Sequence, residues 1–134
     1  MTSNTPAKTV WPTLVYADAR GAIRFLVEAF GFEESLVVPG ATEDIVEHAQ
    51  LRWPEGGGVM LGSANREGSE FSQRPIGSGS VYVVTDEPDK LFDRATGAGA
   101  QLVLGLRDED YGSRGFSVSD PEGNLWSFGT YAGE

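Results

Sequence analysis

The chain has 134 residues, no cysteine and a net charge of −10 at pH 7. A chain of this length suits one compact domain, and the lack of cysteine excludes disulfides, thiol nucleophiles and cysteine-bound zinc or iron–sulfur clusters. The negative charge argues against nucleic acid as a partner, because its phosphates would be repelled, and mildly favours neutral or cationic ligands.

The N-terminal stretch MTSNTPAKT (residues 1–9) is polar and lacks the apolar core of a secretory signal. The apolar runs elsewhere in the chain are only a few residues long, which is too short to span a membrane. We therefore expect a cytoplasmic protein that binds neither membrane nor nucleic acid.

The first half of the chain predicts one helix among four strands. An extended, β-branched run at 9–16 precedes a helix from Asp18 to Gly31, with Asp as the N-cap and Gly as the stop. Strands follow at 32–38 and 45–53, and the turn PEG then leads into a last strand, GVMLG. This half therefore reads β-α-β-β-β.

The second half repeats this order after a polar, Gly-rich segment, 63–78, which we expect to be an exposed or mobile loop. Its helix runs from Asp86 to Gly99, offset by 68 residues from the first, and a second PEG turn follows the first at an offset of 67. Strands are predicted at 79–85, 100–106 and 113–119, and in LWSFG after the turn. The repeat predicts that each PEG turn closes a hairpin between the last two strands of its half.

These elements predict an α+β fold, in which two tandem βαβββ modules form a curved mixed sheet with the helices on its convex face. We place the whole chain, 1–134, in a single domain. Module 1 occupies about 9–62, a linker loop 63–78, and module 2 about 79–131.

Strand alternation separates two faces of the predicted sheet. One face is almost wholly apolar and should form the core: Leu14, Tyr16, Ala49, Leu51, Trp53, Val59, Leu61, Tyr82, Val84, Phe116, Val118, Trp126 and Phe128. The other mixes aromatic, aliphatic and hydrogen-bonding groups: Trp11, Thr13, Val15, His48, Gln50, Arg52, Met60, Val81, Val83, Ser117, Ser119, Leu125 and Ser127. Apolar walls with a few placed polar groups are typical of a ligand pocket.

Two segments carry a family resemblance, YVVTDEPDKLFDRATGAGA (82–100) and YGSRGFSVSDPEGNLWSF (111–128). With the paired modules, they resemble the vicinal oxygen chelate superfamily, of the glyoxalase/bleomycin-resistance/dioxygenase type, and its PhnB-like branch. The resemblance covers residues 9–131. It implies a homodimer whose ligand sits in clefts shared by the subunits.

The resemblance also implies a divalent metal held by four His or Glu side chains on the concave face. At the matching positions this chain has Trp11, Gly79, Gln50 and Ser127, the last where family enzymes carry Glu. None of these is a usual ligand for such metals. His48 is the sole histidine, and one imidazole does not make a metal site. We therefore expect no metal and no other cofactor.

The predicted ligand-binding residues lie on the mixed face and in the loop that borders it: Trp11, Thr13, His48, Gln50, Arg52, Met60, Tyr111, Arg114, Ser117 and Ser127. Trp11 is suited either to stacking on a flat or cationic ligand or to packing at the rim of the core. Arg52 can pair with an anionic ligand or with one of the chain's own carboxylates. Tyr111 and Arg114 are either rim contacts or surface residues.

Three functions are compatible with these features. The leading hypothesis is a metal-independent protein that sequesters a small aromatic or cationic ligand, as bleomycin-resistance proteins do in antibiotic resistance. The alternative is a glyoxalase- or dioxygenase-like lyase or isomerase with a divergent or absent metal site, in which His48 acts as a general base. The third is a dimeric scaffold or regulator that keeps the fold without pocket chemistry.

Overall fold

The computed structural model describes residues 10–134. The first nine residues, which hold the start of the first predicted strand and the segment expected to lack a secretory signal, lie outside the described residues. In chain order the elements are β1 (Thr13–Tyr16), α1 (Ala19–Phe25), which continues as a π-helical turn (Leu26–Phe30), β2 (Glu33–Pro39), β3 (Val46–Arg52), β4 (Gly58–Ser63), a 3₁₀ turn (Phe71–Gln73), β5 (Ser80–Val84), α2 (Pro88–Gly97), β6 (Gln101–Asp108), β7 (Arg114–Ser119) and β8 (Leu125–Gly129). Within this range no helix is long and apolar enough to cross a membrane.

The eight strands form two four-stranded sheets, one for each half of the chain. Sheet A has the strand order β1-β4-β3-β2, and sheet B has the order β5-β8-β7-β6. In each sheet the first strand of the module runs parallel to the last, and the other neighbours are antiparallel. The two orders are equivalent, so the predicted α+β fold of two tandem βαβββ modules is confirmed.

The helix sides of both sheets pack into one hydrophobic core. Phe30, at the end of the first helix, contacts Phe128 and Trp126 of sheet B, with ring centroids 4.8 and 5.3 Å apart. All three side chains are almost completely buried, and burying one large apolar side chain contributes roughly 1.5–3 kcal/mol. Since the helix sides meet in this core, the opposite side of each sheet, called its open face below, lies on a separate outer surface.

The helices begin and end at the predicted signals, with one difference. Asp18 caps α1 by accepting a hydrogen bond from a backbone N–H of the first turn (2.9 Å), and Gly31 ends the π-helical turn with a φ of 89°. The N-cap of α2 is Glu87 rather than the predicted Asp86, whereas Gly99 keeps its predicted place. The interval from the N-cap to the glycine that ends the helix is therefore one residue longer in module 1, from Asp18 to Gly31, than in module 2, from Glu87 to Gly99. The π-helical turn accommodates the extra residue.

The extra residue changes how the two modules align, so the faces predicted for β5 are exchanged. Aligning β5 with β1 at the offset of 68 residues predicts Tyr82 and Val84 in the core and Val81 and Val83 on the other face. That prediction is wrong. Val81 and Val83 are buried, at 9% and 7% exposed, whereas Tyr82 is 49% exposed. The other predicted core residues are all buried, as expected.

Arg94 of α2 supports the π-helical turn from the other module. Its guanidinium donates hydrogen bonds to the backbone carbonyls of Glu28 (2.9 Å) and Val27 (3.1 Å). The Val27 carbonyl also accepts a hydrogen bond from the Gly31 backbone N–H (3.1 Å). Arg94 adds donors near the end of this helix, where carbonyls have few partners within the helix, and joins the two modules at the same point.

The two PEG turns close hairpins, as predicted, and each also holds the other module. Glu122, in the second turn, accepts hydrogen bonds from the backbone N–H groups of Ala17 (2.6 Å) and Asp18 (2.9 Å), just after β1. Glu55, in the first turn, accepts one from the backbone N–H of Asp86 (2.9 Å), just after β5. The duplicated turn therefore fastens the first strand of each module to the other module.

Asp120, which opens the segment DPEGN, makes a buried link between the modules. Its Oδ2 atom accepts hydrogen bonds from the Tyr16 hydroxyl (2.6 Å), Trp126 Nε1 (3.0 Å) and Asn124 Nδ2 (3.2 Å). Burial, reinforced by the adjacent Asp120 carboxylate, raises the pKa of Tyr16 far above its usual value. Because Tyr16 belongs to β1, this network ties the first strand of module 1 to the last turn of module 2.

The segment that connects the modules is largely exposed, as expected, and is held in place near its centre. The Ser72 side chain is fully buried; its hydroxyl accepts a hydrogen bond from the Arg66 backbone N–H (2.9 Å) and donates one to the Ser69 carbonyl (2.9 Å). Arg66 also pairs with Glu47 of β3 (3.1 Å). These contacts fasten the segment to sheet A.

Candidate ligand-binding site

A row of four residues crosses the open face of sheet B in register. Tyr82 of β5 pairs with Ser127 of β8, Ser127 with Ser117 of β7, and Ser117 with Leu104 of β6. We call this set row B. The two serines lie in the middle of the sheet and the tyrosine and leucine on its outer strands, so a polar floor is bounded by two largely apolar walls.

Row B lines a pocket of about 220 Å³. Its other lining residues come from β6 to β8 and the β6–β7 loop: Gly105, Arg107, Glu109, Tyr111, Ser113, Gly115, Phe116, Phe128 and Gly129. Complete sites for drug-sized molecules enclose about 300–1,000 Å³. The pocket is smaller than these sites and lies on the open face of sheet B.

The two serines at the floor share one hydrogen bond. Their hydroxyl oxygens are 2.7 Å apart, and either can donate. Two hydroxyls carry two protons, so this bond leaves one donor, together with acceptor lone pairs, for a ligand. Sequence alternation predicts that Ser117 and Ser127 share a face, and the structure brings them into direct contact.

Tyr82 is a pocket residue that the sequence reasoning missed. Its hydroxyl donates a hydrogen bond to the backbone carbonyl of Tyr131 (2.6 Å), which fixes the ring beside the serine floor. Sequence reasoning assigns it to the core because it assumes a constant offset between the helices. The signal that identifies it is Pro88, which favours the first turn of α2 and makes Glu87 the N-cap.

The mouth of the pocket combines aromatic and charged side chains. The exposed ring of Tyr111 packs edge-on against Tyr131, with centroids 5.6 Å apart. Arg107 forms an ion pair with Glu109. Tyr111 is thus at the rim, where the sequence predicts it, and both charges at the mouth have a partner in the chain.

Arg114 lies beside this pocket with its guanidinium bound elsewhere. It donates two hydrogen bonds to Asp89 of α2 (2.7 and 3.1 Å) and pairs with Asp108 at 3.3 Å. The hydrogen bonds from Arg114 lower the pKa of Asp89, and those bonds raise the pKa of Arg114. These contacts fasten the β6–β7 hairpin to α2, and a ligand-binding role for Arg114 stays a prediction.

An equivalent row crosses the open face of sheet A. Thr13 of β1 pairs with Met60 of β4, Met60 with Gln50 of β3, and Gln50 with Leu36 of β2. We call this set row A. Rows A and B match position by position, and neither contains a charged side chain.

Three further predicted residues surround row A. The His48 and Gln50 side chains are joined through their Nε2 atoms, 2.9 Å apart, and the Gln50 amide donates when the imidazole nitrogen is unprotonated. Arg52 donates a hydrogen bond from Nε to Glu33 (3.0 Å), so it pairs with a carboxylate of the chain. Trp11 is half-buried and lies over Gly58, where a Cβ would come within 3.0 Å of its ring.

The predicted ligand-binding residues therefore fall into two groups. Residues of the first group lie on or beside sheet A: Trp11, Thr13, His48, Gln50, Arg52 and Met60. Residues of the second lie on or beside sheet B: Tyr111, Arg114, Ser117 and Ser127. The row B pocket is lined by Tyr111, Ser117 and Ser127 of the second group and by no residue of the first.

A larger pocket, of about 540 Å³, lies between β1 and the connecting segment. Thr13 and Val15 form one side, and Phe71 and Arg74 belong to the other. Glu70 also lines it, so its charged side chains have opposite signs. It has no counterpart to the in-register hydroxyl floor of row B, and of the predicted ligand residues it contains only Thr13.

The described residues offer no ready metal site. Across residues 10–134, no three His, Cys, Asp or Glu side chains come together in a way that could hold a metal ion. The strand registers make Met60 the module 1 equivalent of Ser127. The same registers make Ser80, rather than the predicted Gly79, the module 2 equivalent of Trp11. A thioether and a hydroxyl are poor ligands for the hard divalent ions that carboxylates hold.

Comparison with known proteins agrees with this architecture. A family model described as the Glyoxalase/Bleomycin resistance protein/Dioxygenase superfamily matches residues 8–128. The crystal structure of TioX from Micromonospora sp. ML1 is similar, with a TM-score of 0.78, 32% identity and coverage of 92% of this chain and 98% of TioX. The uncharacterized protein Mb0911c of Mycobacterium bovis is 36% identical in an alignment of 126 positions, with coverage of 88% of this chain and 80% of that protein.

A more distant structure shows the shared fold. A member of the same superfamily from Sphaerobacter thermophilus DSM 20745 is 20% identical, with a TM-score of 0.68 and coverage of 92% of this chain and 97% of that one. The family match spans nearly the whole chain, and the tandem modules follow the same plan. The chain therefore belongs to the glyoxalase/bleomycin resistance protein/dioxygenase superfamily.

Proposed function

We propose that this protein binds a small molecule at the open faces of its sheets without a metal ion and leaves the molecule chemically unchanged. The observation that carries the proposal is the serine floor of row B. Ser127 occupies the position at which family enzymes carry a metal-binding Glu, and it is hydrogen-bonded to a second hydroxyl, that of Ser117. A floor of paired hydroxyls suits recognition by neutral hydrogen bonds rather than coordination of a cation.

The environment of His48 supports binding over catalysis. A general-base histidine is normally oriented by a carboxylate or a backbone carbonyl on its second nitrogen. The partner found for His48 is the amide of Gln50, which is a member of row A. The imidazole therefore extends a hydrogen-bonding surface, and we propose that it helps to position a ligand.

We further propose that a homodimer completes the site, with row A of one protomer opposite row B of the other. Both open faces expose apolar side chains, including Leu36 and Val38 on sheet A and Leu104 and Leu125 on sheet B, each between 38% and 50% exposed. Exposed apolar surface of this kind marks an interaction site. Placement in a PhnB-like branch, and a role in antibiotic resistance, stay predictions from the resemblance.

A thermal-shift screen with a fragment library tests the binding proposal. Phe at position 127 would fill the floor of the pocket, so we expect fragments that raise the Tm of the wild type to lose this effect in Ser127→Phe. Ser80→Phe is the matched control, because Ser80 lies exposed on the same face of β5 and does not line the pocket. Fragments that stabilise the wild type and Ser127→Phe equally would contradict the proposed site.

A further inference from the structure

We propose that the site takes an uncharged, largely apolar ring compound that carries a hydroxyl or carbonyl group; this rests on the proposed function. The sequence alone leaves aromatic and cationic ligands open. The two rows decide between them, because they give the side chains that face a ligand at matched positions of both sheets. None of these eight side chains belongs to aspartate, glutamate, histidine, lysine or arginine.

The arginines that flank the rows are already neutralised within the chain. Arg52, beside row A, is bonded to Glu33, and Arg107, at the mouth of row B, to Glu109. Arg114 bridges two carboxylates. An anionic ligand would therefore meet a carboxylate next to each of these guanidinium groups, and a cationic ligand would meet a guanidinium next to each of these carboxylates.

An ion placed over either row would lose water, and the arginines and carboxylates beside the rows that could act as its countercharge are already paired with each other. Burying an unpaired charge costs far more than burying a hydrogen-bonded neutral group. The floor of row B offers one hydroxyl donor and acceptor lone pairs, which match one hydroxyl or carbonyl of a ligand. Tyr82 and Leu104 bound this floor, and their side chains suit the apolar body of a ring.

The net charge of the chain favours a cationic ligand over an uncharged one. A protein with a charge of −10 attracts cations and repels anions over long range. Preference for an uncharged ligand over a cation of the same shape would therefore arise in the pocket and not from the overall field. Measurement at 0.15 M salt or above screens that field, because the Debye length falls to about 8 Å.

The test is calorimetric titration of the full-length protein with four bicyclic probes: 2-naphthol, naphthalene, 2-naphthoate and 2-naphthylmethylammonium. We expect 2-naphthol to bind at least about tenfold more tightly than either ion, a difference of about 1.4 kcal/mol. Ser127→Ala should weaken 2-naphthol severalfold and leave naphthalene unchanged, since naphthalene has no group for the hydroxyl. Ser80→Ala is the control and should change neither.

Two results would overturn the proposal. Tighter binding of an ion than of 2-naphthol, lost in Ser127→Phe, would show that the site exists and selects charge. Failure of all four probes to bind would rule out the proposed class of ligand. The proposed binding site itself falls if the wider fragment screen is also insensitive to Ser127→Phe, so failure of the ligand class and failure of the site are distinguishable.

Discussion

At the scale of single residues, Asp120 contributes to the stability of the fold by linking the two modules. Its buried carboxylate accepts hydrogen bonds from three side chains, one of which, Tyr16, comes from the other module. A buried acceptor that loses a donor keeps its desolvation cost without the compensating bond. The Tyr16 hydroxyl therefore contributes to stability although it is remote from the proposed pocket.

Tyr16→Phe removes this donor and little else. We expect it to lower the free energy of unfolding by about 1–3 kcal/mol, measured by urea denaturation at pH 7. Tyr111→Phe is the matched control, because that hydroxyl is on an exposed ring, and it should change stability by less than about 0.5 kcal/mol. Equal stability of Tyr16→Phe and the wild type would refute the role given to the Asp120 network.

The same tyrosine predicts a stability loss in alkali. Because folding raises the pKa of Tyr16, its contribution is complete below the ordinary tyrosine pKa of about 10 and is lost as the pH rises above that value. The slope approaches about 1.4 kcal/mol per pH unit for one such group. Unfolding measured from pH 8 to 11 should therefore converge for the wild type and Tyr16→Phe, and parallel curves would contradict this.

The two faces of most strands can be predicted from alternation, but the contacts of individual polar groups cannot. Ser117 and Ser127 fall on the predicted face because each lies one residue from a buried aromatic or aliphatic side chain in the same strand. The pairing of Arg114 with Asp89 depends on how the β6–β7 hairpin packs against α2. That packing is set by the tertiary structure and not by the local sequence pattern.

At the scale of elements, the duplicated PEG turn explains how two modules hold each other. Each turn ends a hairpin in its own module and presents a glutamate to the end of the first strand in the other. Glu122 accepts two backbone hydrogen bonds and Glu55 accepts one. Because both glutamates bond across the modules, the repeated turn helps to hold one module on the other as well as closing its own hairpin.

Removing these glutamates should have unequal effects. We expect Glu122→Ala to lower the free energy of unfolding by about 1–2 kcal/mol and Glu55→Ala by about half as much, in proportion to the bonds lost and reduced by exposure to water. Chemical denaturation of both variants measures this. Glu67→Ala, in the exposed connecting segment, serves as the control. Similar losses for Glu67→Ala and Glu122→Ala would show that the bonds across the modules contribute nothing specific.

The elements themselves follow from sequence signals, and the one error among them has a physical cause. Asp18, Gly31 and Gly99 mark helix ends because short polar and glycine residues satisfy or relax the terminal backbone groups. The π-helical turn at Leu26–Phe30 has no such signal in the sequence, and Arg94, far along the chain, donates hydrogen bonds to two of its carbonyls. The extra residue of this turn moves the alignment of β5 with β1 by one position. A shift of one position exchanges the two faces of a strand.

At the scale of the whole molecule, the open faces of both sheets are exposed in a single chain. The helix sides of both sheets are buried in one core, whereas both rows face outward with apolar neighbours on the outer strands. Stable protein interfaces bury about 1,200–2,000 Å² in total, an area of the order that two facing four-stranded sheets can cover. The tandem modules can be predicted from the sequence repeat, but which side of each sheet is buried in the common core depends on long-range packing.

Leu104→Arg tests whether a second copy covers these faces. It places a charge at the end of row B, and we expect it to weaken self-association by about tenfold or more, because a buried charge would lack a partner. Sedimentation equilibrium compares it with the wild type and with Ile76→Arg, a change at an exposed apolar residue of the connecting segment. A wild type that stays monomeric, or equal association of all three proteins, would contradict the proposed dimer.

Metal analysis tests most directly whether hydroxyls, and not a metal ion, form the site. Protein purified without a tag or chelators would be incubated in turn with Mg²⁺, Mn²⁺, Fe²⁺, Ni²⁺ and Zn²⁺, desalted, and analysed for bound metal, with Ser127→Ala in parallel. We expect no metal near one equivalent per chain in either protein. Retention of about one equivalent by the wild type, lost in Ser127→Ala, would place a metal at the floor of row B and contradict metal-independent binding.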